Sequence, residues 1–286
     1  MYIQGGKFIM KKLALLLAAL GVVSAAAYAA PELTVTSVGQ EVEIEHTLGT
    51  DGTTAWLYNN VGLAYGDWSF GFQGAKQWAY SDKEDSVKSN NHQLQFDAWK
   101  KVNDNLKLGF RYRGREDFDR FMARYDFNYG MLWSSGDFWY QFNNNKEDNI
   151  EIEWFPIGLK YGAFKVGYFL NYMEFNNPVD NQESLTEHQI RAYADLYKTD
   201  KLTVFSELRV TLNREQDMVN NAKYETYDDF GRNRLYLGAK YNVTENLNVY
   251  GKYAYELGDA IDKNVANENK RTKDYEALIF GWSYSF

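Results

Sequence analysis

The feature that most constrains this chain is an alternation of apolar and polar residues with a period of two. It begins near Pro31 and continues to the C-terminus, in stretches of about 10 to 15 residues separated by turn-forming residues. Side chains of a β-strand point alternately to its two faces, so this pattern predicts strands that are apolar on one face only. We find about 14 such stretches and almost no helical periodicity, which predicts an all-β, antiparallel fold.

The stretch at the C-terminus shows the alternation most clearly. One face carries Leu278, Phe280, Trp282, Tyr284 and Phe286, while small residues occupy most of the other face. A second clear stretch is predicted to place seven apolar residues on one face: Phe121, Ala123, Tyr125, Phe127, Tyr129, Met131 and Trp133. A third stretch loses its phase at Pro156. Because proline cannot donate to a strand ladder, this slip predicts a β-bulge.

The connections between stretches alternate between two kinds. Every second one is predicted to be a tight turn, as at Gly66–Asp67, Val102–Asn105, Ser134–Asp137, Tyr161–Ala163, Lys198–Asp200 and Val243–Asn246. The intervening ones are more polar and mostly longer, as at Ser81–Ser89, Asn143–Asn149, Asn176–Ser184, Arg214–Gly231 and Gly258–Arg271. Short periplasmic turns and longer outer loops are typical of outer-membrane barrels.

The N-terminal segment reads as an export signal. Met10-Lys11-Lys12 precedes an apolar run from Leu13 to Val23, and Ala27-Tyr28-Ala29 fits the small-x-small cleavage rule. We therefore predict a signal peptide at residues 1–29, with a membrane anchor as the alternative, and one barrel domain at 30–286. Residues 1–9 are interpreted as a start-site misassignment. Removal of this segment takes away three lysines and no acidic residue, so the net charge falls from −8 to −11. So acidic a chain predicts no nucleic-acid partner.

The chemistry of the two faces favours a barrel in a membrane over a soluble sandwich. A sandwich core is rich in aliphatic residues, whereas here the apolar face is rich in aromatic residues and the opposite face carries charge. In lipid, only a closed sheet leaves no strand edge without hydrogen bonds. Four aromatic residues near stretch ends suit interfacial girdles: Tyr65, Trp68, Trp133 and Tyr284. We predict a transmembrane antiparallel β-barrel of about 14 strands, with 12 or 16 as alternatives.

The last stretch, with Phe286 at the terminus and aromatic residues at alternating positions before it, resembles the C-terminal signature of Gram-negative outer-membrane proteins. The whole mature chain is similar to general porins, and its leader and strand number resemble the major outer-membrane porin of fusobacteria. This resemblance implies a place in the outer membrane, contact with lipid and lipopolysaccharide, and handling of the last strand by the barrel-assembly machinery. The chain departs from trimeric sixteen-strand porins at Glu116–Asp119, because this connection is too short to fold inward as a constricting third loop. Both a monomer and a homo-oligomer therefore stay open.

Opposite to the apolar face, a mixed set of charged residues is predicted to line the lumen. The candidates with the clearest pattern are Arg111, Arg113, Arg115, Arg120, Arg124, Arg234, Glu41, Glu43, Glu45, Asp97, Asp126 and Glu207. Three interpretations remain open. Opposed rows of charge set up a field across a pore, charges merely pair between neighbouring strands, or the arginines bind an anionic solute, since guanidinium groups suit carboxylate and phosphate.

Catalysis has little support in the sequence. The chain has no cysteine, and its three histidines, His46, His92 and His188, share the parity of the lipid-facing residues. We expect no enzyme activity, no cofactor and no metal site. The predicted function is passive diffusion of small hydrophilic solutes and ions across the outer membrane. The alternatives are an adhesin or receptor acting through the outer loops, and a channel selective for anionic oligosaccharides.

Overall fold

The computed structural model describes residues 31–47, 52–81, 85–179, 182–219, 222–225, 227–260 and 272–286. The predicted signal peptide, residues 1–29, lies outside these ranges. Within them the chain forms fifteen strands. These are β1 Thr34–Thr47, β2 Thr53–Tyr65, β3 Trp68–Ser81, β4 Ser86–Lys101, β5 Leu106–Arg115, β6 Phe118–Tyr129, β7 Leu132–Asn143, β8 Asn149–Tyr161, β9 Phe164–Val179, β10 Gln182–Lys198, β11 Leu202–Met218, β12 Ala222–Glu225, β13 Tyr227–Asn242, β14 Leu247–Ala260 and β15 Thr272–Ser285.

Fourteen of these strands close into one antiparallel ring. Each pairs with its neighbours along the chain, and the ring is sealed where β1 pairs with β15 and where β10 pairs with β11. The short β12 pairs only with the outer end of β11, so β13 takes the next place in the ring. The predicted closed, fourteen-strand, all-β barrel is confirmed. Among the described residues, no helix is long and apolar enough to cross a bilayer.

The two faces of the ring differ as the alternation predicts. Large apolar side chains are exposed on the convex face, among them Leu108, Val166, Leu237, Leu278 and Phe280. The concave face is identified by contacts that skip a strand, because side chains of strands that are not neighbours meet only where a closed sheet curves inward. Arg124 of β6 contacts Asp97 of β4, and Arg232 of β13 contacts Glu187 of β10.

One small polar group interrupts the apolar outer face. Gln40 of β1 donates to the Oδ1 of Asn59 of β2 over 2.8 Å, and Trp282 of β15 donates to the Oε1 of Gln40 over 3.2 Å. Both amide side chains are exposed and lie near the middle of their strands. Their mutual hydrogen bonds reduce the cost of placing polar groups where the outer face is otherwise apolar.

The outer connections are shorter than predicted. Most residues assigned to long loops continue the strands: β9 runs to Val179 and β10 starts at Gln182, while β11 runs to Met218. The predicted loop at Asn143–Asn149 is confirmed, since β7 ends and β8 begins at these residues. Residues 261–271 of another predicted loop lie outside the described residues. The polar composition of these segments predicts loops, but the residues form strands, because a strand that rises beyond the lipid needs no apolar face.

The predicted boundary between β6 and β7 is wrong. The turn consists of Gly130 and Met131, and the segment predicted as a turn, Ser134–Asp137, lies within β7. Gly130 has a φ of 58°, a left-handed conformation that suits glycine in a tight turn. The turn comes four residues earlier than expected, so Trp133 belongs to β7 and faces inward. It is 4% exposed and therefore is not a girdle residue.

The predicted bulge in β8 is confirmed. The pairing of β8 with β9 shifts register between Trp154 and Ile157, and the pairing with β7 shifts between Trp133 and Ser135. Proline at position 156 lacks the N–H that a regular ladder would use. Phe155 keeps the inward parity of Glu153, and its ring lies 4.8 Å from that of Trp133, while the bulge turns Ile157 and Leu159 to the outer face.

Candidate functional site

The inner wall of β4, β5 and β6 holds most of the predicted lumen arginines. Three successive inward residues of β4 lie directly opposite three arginines of β5: Gln93, Gln95 and Asp97 opposite Arg115, Arg113 and Arg111. On the other side of β5, Arg113 lies opposite Arg120 of β6. The period of two puts these side chains on one face, and the register puts them next to each other.

Two of these arginines are neutralised by aspartates. Asp97 accepts from Arg111 Nε over 2.6 Å and from Arg124 Nη1 over 2.8 Å. Arg124 also holds Asp137 of β7 with two hydrogen bonds, of 2.7 and 3.0 Å. All four side chains are largely buried against the wall. This cluster of two cations and two anions supports the interpretation in which charges pair between strands.

The other three arginines of this wall are held by glutamines. Arg113 Nε donates to Gln95 and Arg115 Nε to Gln93, each over 2.8 Å. Arg120 donates through Nε and Nη2 to the Oε1 of Gln141 of β7. In the described part of the chain, none of the three forms an ion pair with a carboxylate. Their positive charge is therefore not compensated by contact.

A second network joins the strands from β10 to β14. Arg232 bridges Glu187 at 2.9 Å and Glu256 at 3.1 Å, and Arg234 Nε contacts the second oxygen of Glu256 at 2.6 Å. On β11, Arg209 contacts Glu207 at 2.6 Å. The sequence predicts Arg234 and Glu207 as lumen residues, and the ion pair of Arg234 with Glu256 supports the interpretation in which charges pair between neighbouring strands.

The predicted acidic row lies on the inner face of β1. Each carboxylate accepts a hydrogen bond from a neutral hydroxyl: Glu41 from Tyr250 at 2.6 Å, Glu43 from Tyr58 at 3.3 Å, and Glu45 from Thr54 at 3.0 Å. No ion pair reaches these three residues from the side chains that the structure describes. The row is an uncompensated negative sector, four strands from β5 around the ring.

Aromatic residues on the inner wall are the feature that the sequence analysis missed. Buried inward rings include Trp56, Trp133, Trp139 and Phe169. Cations lie over them: Arg191 is 3.3 Å from the ring centre of Phe169, and Lys165 is 3.7 Å from that of Trp133. Such contacts hold charged groups flat against the wall. Strand parity alone predicts inward positions for Trp56 and Phe169.

Two cavities lie along the inner face of the barrel. One, of about 180 Å³, is lined mainly by charged residues from β8 to β14, including Glu187, Arg191 and Arg232. The other, of about 320 Å³, lies between β4 and β10 and includes Arg124, Trp133 and Lys165. Inward side chains therefore leave polar space between them.

The remaining residues considered in the sequence analysis are Asp126 and the three histidines. Asp126 lies on the inner face of β6 opposite Lys107 and accepts from Asn128 over 2.8 Å. The three histidines have the outward parity expected of them: His46 contacts the carbonyl of Gly52, His92 pairs with Glu116, and His188 bonds the hydroxyl of Tyr168. Within the described ranges, no group of three His, Asp or Glu side chains is arranged to hold a metal ion.

Comparison with solved structures finds outer-membrane barrels at low sequence identity. A bacterial polysaccharide outer-membrane secretin matches with a TM-score of 0.54 and 9% identity, covering 88% of this chain and 98% of that chain. OmpT, an outer-membrane protein of Vibrio cholerae, matches with a TM-score of 0.43 and 15% identity, covering 93% and 100%. An anion-selective porin from Comamonas acidovorans matches with a TM-score of 0.43 and 12% identity, covering 89% and 100%.

No protein-family model matches the chain, and no curated protein matches it. The likeness to the secretin is one of fold, since 9% identity carries no information about residues. The chain is therefore similar in fold to outer-membrane β-barrels.

Proposed function

We propose that this chain forms a water-filled channel in the outer membrane of a Gram-negative bacterium and allows passive diffusion of small hydrophilic solutes and ions. The observation that carries the proposal is the closed ring of fourteen strands, with apolar side chains on its convex face and charged side chains on its concave face. A ring without free edges suits lipid. Transport of this kind involves no chemical step and needs no catalytic group.

The charged groups without an ion-pair partner among the described residues support a hydrated lumen. An ionised group in a dry interior carries a large free-energy cost unless it is paired. Among the described residues, the hydrogen-bond acceptors of Arg113, Arg115 and Arg120 are amide oxygens, and Glu41 accepts from a tyrosine hydroxyl. A barrel of 14 strands also lies closer in size to the 16-strand water channels than to the 8-strand barrels whose interiors are filled by side chains.

The arrangement of charges supports weak ion selectivity. Paired clusters around Asp97 and Glu256 contribute little net field, in line with pairing between strands. The acidic row of β1 and the glutamine-held arginines of β5 and β6 lie in different sectors of the inner wall, four to five strands apart, and this separation of opposite charges is in line with a transverse field. The pairing interpretation therefore applies to the clusters around Asp97 and Glu256, and the transverse-field interpretation applies to β1 and to β5 and β6.

Electrical recording from refolded protein in planar bilayers tests this function. We expect stepwise conductance that rises with salt concentration, and a permeability ratio of potassium to chloride within about threefold of one. Neutral polymers of increasing size added to the bath give the size limit of the lumen. A folded barrel that carries no current in protein-only bilayers would overturn the channel and favour an adhesin or receptor.

Localisation and partners are proposals that rest on the resemblance of β15 to the last strands of outer-membrane proteins. Its outward residues Leu278, Phe280, Trp282 and Tyr284 are all exposed and lead to Phe286. This supports recognition by the barrel-assembly machinery and contact with lipid and lipopolysaccharide. The narrower likeness to the fusobacterial porin rests on the leader and the strand number.

Residues 220–221 and 261–271, from the loops proposed for an adhesin, lie outside the described residues.

A further inference from the structure

Three of the five arginines on β5 and β6 differ from the other two in their partners. Arg111 and Arg124 are neutralised by Asp97 and Asp137. Arg113, Arg115 and Arg120 instead contact the amide oxygens of glutamines, which orient a guanidinium group without cancelling its charge. These three arginines are named here the guanidinium triad.

The triad is held rigidly, with hydrogen-bond donors to spare. Arg113 and Arg115 use only their Nε atoms toward protein acceptors, so their Nη groups have no protein acceptor in the described ranges. Arg115 lies 4.5 Å from the ring centre of Trp56, and Arg120 lies 4.6 Å from that of Trp139. Fixed guanidinium groups lose little side-chain entropy when they bind an anion.

An orphan donor lies next to the triad. The indole Nε1 of Trp139 is buried and has no hydrogen-bond partner among the described residues, although Trp139 packs beneath Arg120. Buried donors without an acceptor are rare in folded proteins. This unmet donor belongs to the ring over which the guanidinium group of Arg120 lies.

The triad also occupies an accessible place in the ring. It lies toward the outer ends of β5 and β6, which are joined by Glu116 and Asp117 alone. Both acidic side chains have other contacts: Glu116 pairs with the outward His92 at 3.0 Å, and Asp117 accepts from Asn91 at 3.3 Å. Solutes that enter from the outer side therefore meet the triad early.

We propose that Arg113, Arg115 and Arg120 form a binding subsite in the lumen for small polyvalent oxyanions, that is, carboxylates or phosphates. The inference rests on the proposed channel and specifies the solute class that the channel binds during passage. Two or more negative charges match three guanidinium groups that stand side by side in the register of β4, β5 and β6. Monovalent chloride passes with weaker binding.

Block of the chloride current in planar bilayers tests the subsite. Inorganic phosphate and citrate are the probes, added to the outer side at fixed ionic strength. We expect both to reduce the wild-type current in a saturable way, and the stronger probe identifies the preferred oxyanion. Replacement of all three arginines by glutamine should raise the half-blocking concentration at least about tenfold, while Lys240→Gln on β13 should leave it unchanged.

A second variant keeps the arginines and removes only their net charge. Gln93→Glu with Gln95→Glu places carboxylates directly opposite Arg115 and Arg113, and it should weaken the block as strongly as loss of the arginines. Variants that block like wild type while remaining folded, as judged by heat-modifiable gel migration, would overturn the subsite.

A direct binding measurement separates this inference from the proposed function. Calorimetric titration of phosphate and citrate into detergent-solubilised barrel does not require conduction. Binding that depends on the triad supports the subsite even if the bilayer shows no current. In that case only the proposed channel function is contradicted. Equal binding by wild type and the glutamine variant overturns the subsite even if the channel conducts.

Discussion

At the scale of single residues, the change from glutamine to aspartate along β4 decides which arginine of β5 is paired with a carboxylate. Two of its inward residues, Gln93 and Gln95, are neutral, and the third, Asp97, is charged. All three hold arginines of β5 in the same way, through the guanidinium Nε. The arginine opposite the aspartate is neutralised and those opposite the glutamines are not. The local field is thus set by side-chain chemistry within an unchanged backbone.

Replacement of Asp97 by asparagine is expected to make the channel more anion-selective. Asp97 bonds Arg111 and Arg124, so loss of its charge leaves both guanidinium groups less compensated. The reversal potential in a potassium chloride gradient should shift toward that of chloride. The fold should lose about 2 kcal/mol, because charge-assisted hydrogen bonds weaken.

The matched control is Asp104→Asn, which removes the same charge from the turn between β4 and β5. Asp104 pairs at the surface with Lys101, away from the inner wall. Its reversal potential should equal that of wild type. A similar shift in both variants would show that net charge, and not charge on the wall, controls selectivity.

At the scale of elements, the turns and bulges decide which side chains enter the lumen. If the pairing of a strand shifts by one residue, every side chain of that strand moves to the other face of the sheet, because side chains alternate between the two faces. The turn at Gly130–Met131 places Trp133 inward, beside Phe155, and the bulge at Pro156 turns Ile157 and Leu159 outward. Trp133 and Phe155 form part of the aromatic lining of the larger cavity.

A substitution in this turn is expected to destabilise the barrel. Gly130 has a φ of 58°, so Gly130→Ala should cost about 1 to 2 kcal/mol, the usual penalty for a side chain in the left-handed region. Gly74 of β3 is the control, because a methyl group there meets nothing within 4 Å. Denaturant unfolding in lipid vesicles measures both. Equal stability of the two variants would show that the turn adopts another conformation.

At the scale of the whole molecule, closure depends on a contact between the two ends of the ring. β1 and β15 pair over eleven positions, from Ser37 opposite Ser285 to Thr47 opposite Tyr275. This pairing removes the last free edges, which in lipid would leave backbone groups without partners. The ring therefore forms only when both ends of the chain are present.

A disulfide across this seam tests closure in a chain that has no cysteine of its own. The N–H of Phe286 donates to the carbonyl of Thr36, so Ser37 and Ser285 form a non-hydrogen-bonded pair, whose Cα atoms are typically about 4.5 Å apart. That spacing is within disulfide range. Ser37→Cys with Ser285→Cys should cross-link on mild oxidation and raise the unfolding midpoint.

The control pair is Ser37→Cys with Ser206→Cys on β11, four strands from β1 on the β15 side of the ring. This pair should stay reduced in folded protein. Gel mobility with and without reductant distinguishes the two pairs. A seam pair that remains reduced would contradict the closure of the ring between β1 and β15.

The sequence by itself determined the fold class and the number of strands in the barrel. These properties follow from alternation, which is a local consequence of strand geometry. It also located the bulge, because proline acts within its own strand. The predicted loops and the turn after β6 were wrong where polar or small residues, such as those of Ser134–Asp137, continue a strand.

Only the tertiary structure decided which charges are compensated. Arg111 and Arg113 have the same parity and lie two residues apart on one strand, but their partners come from another strand. Those partners depend on register, which is set by the pairing of the whole sheet and not by either segment alone. Closure, the stacking of arginines over inward aromatic rings and the glutamine partners of the triad all depend on residues far apart in the chain. They emerge only when the ring is complete.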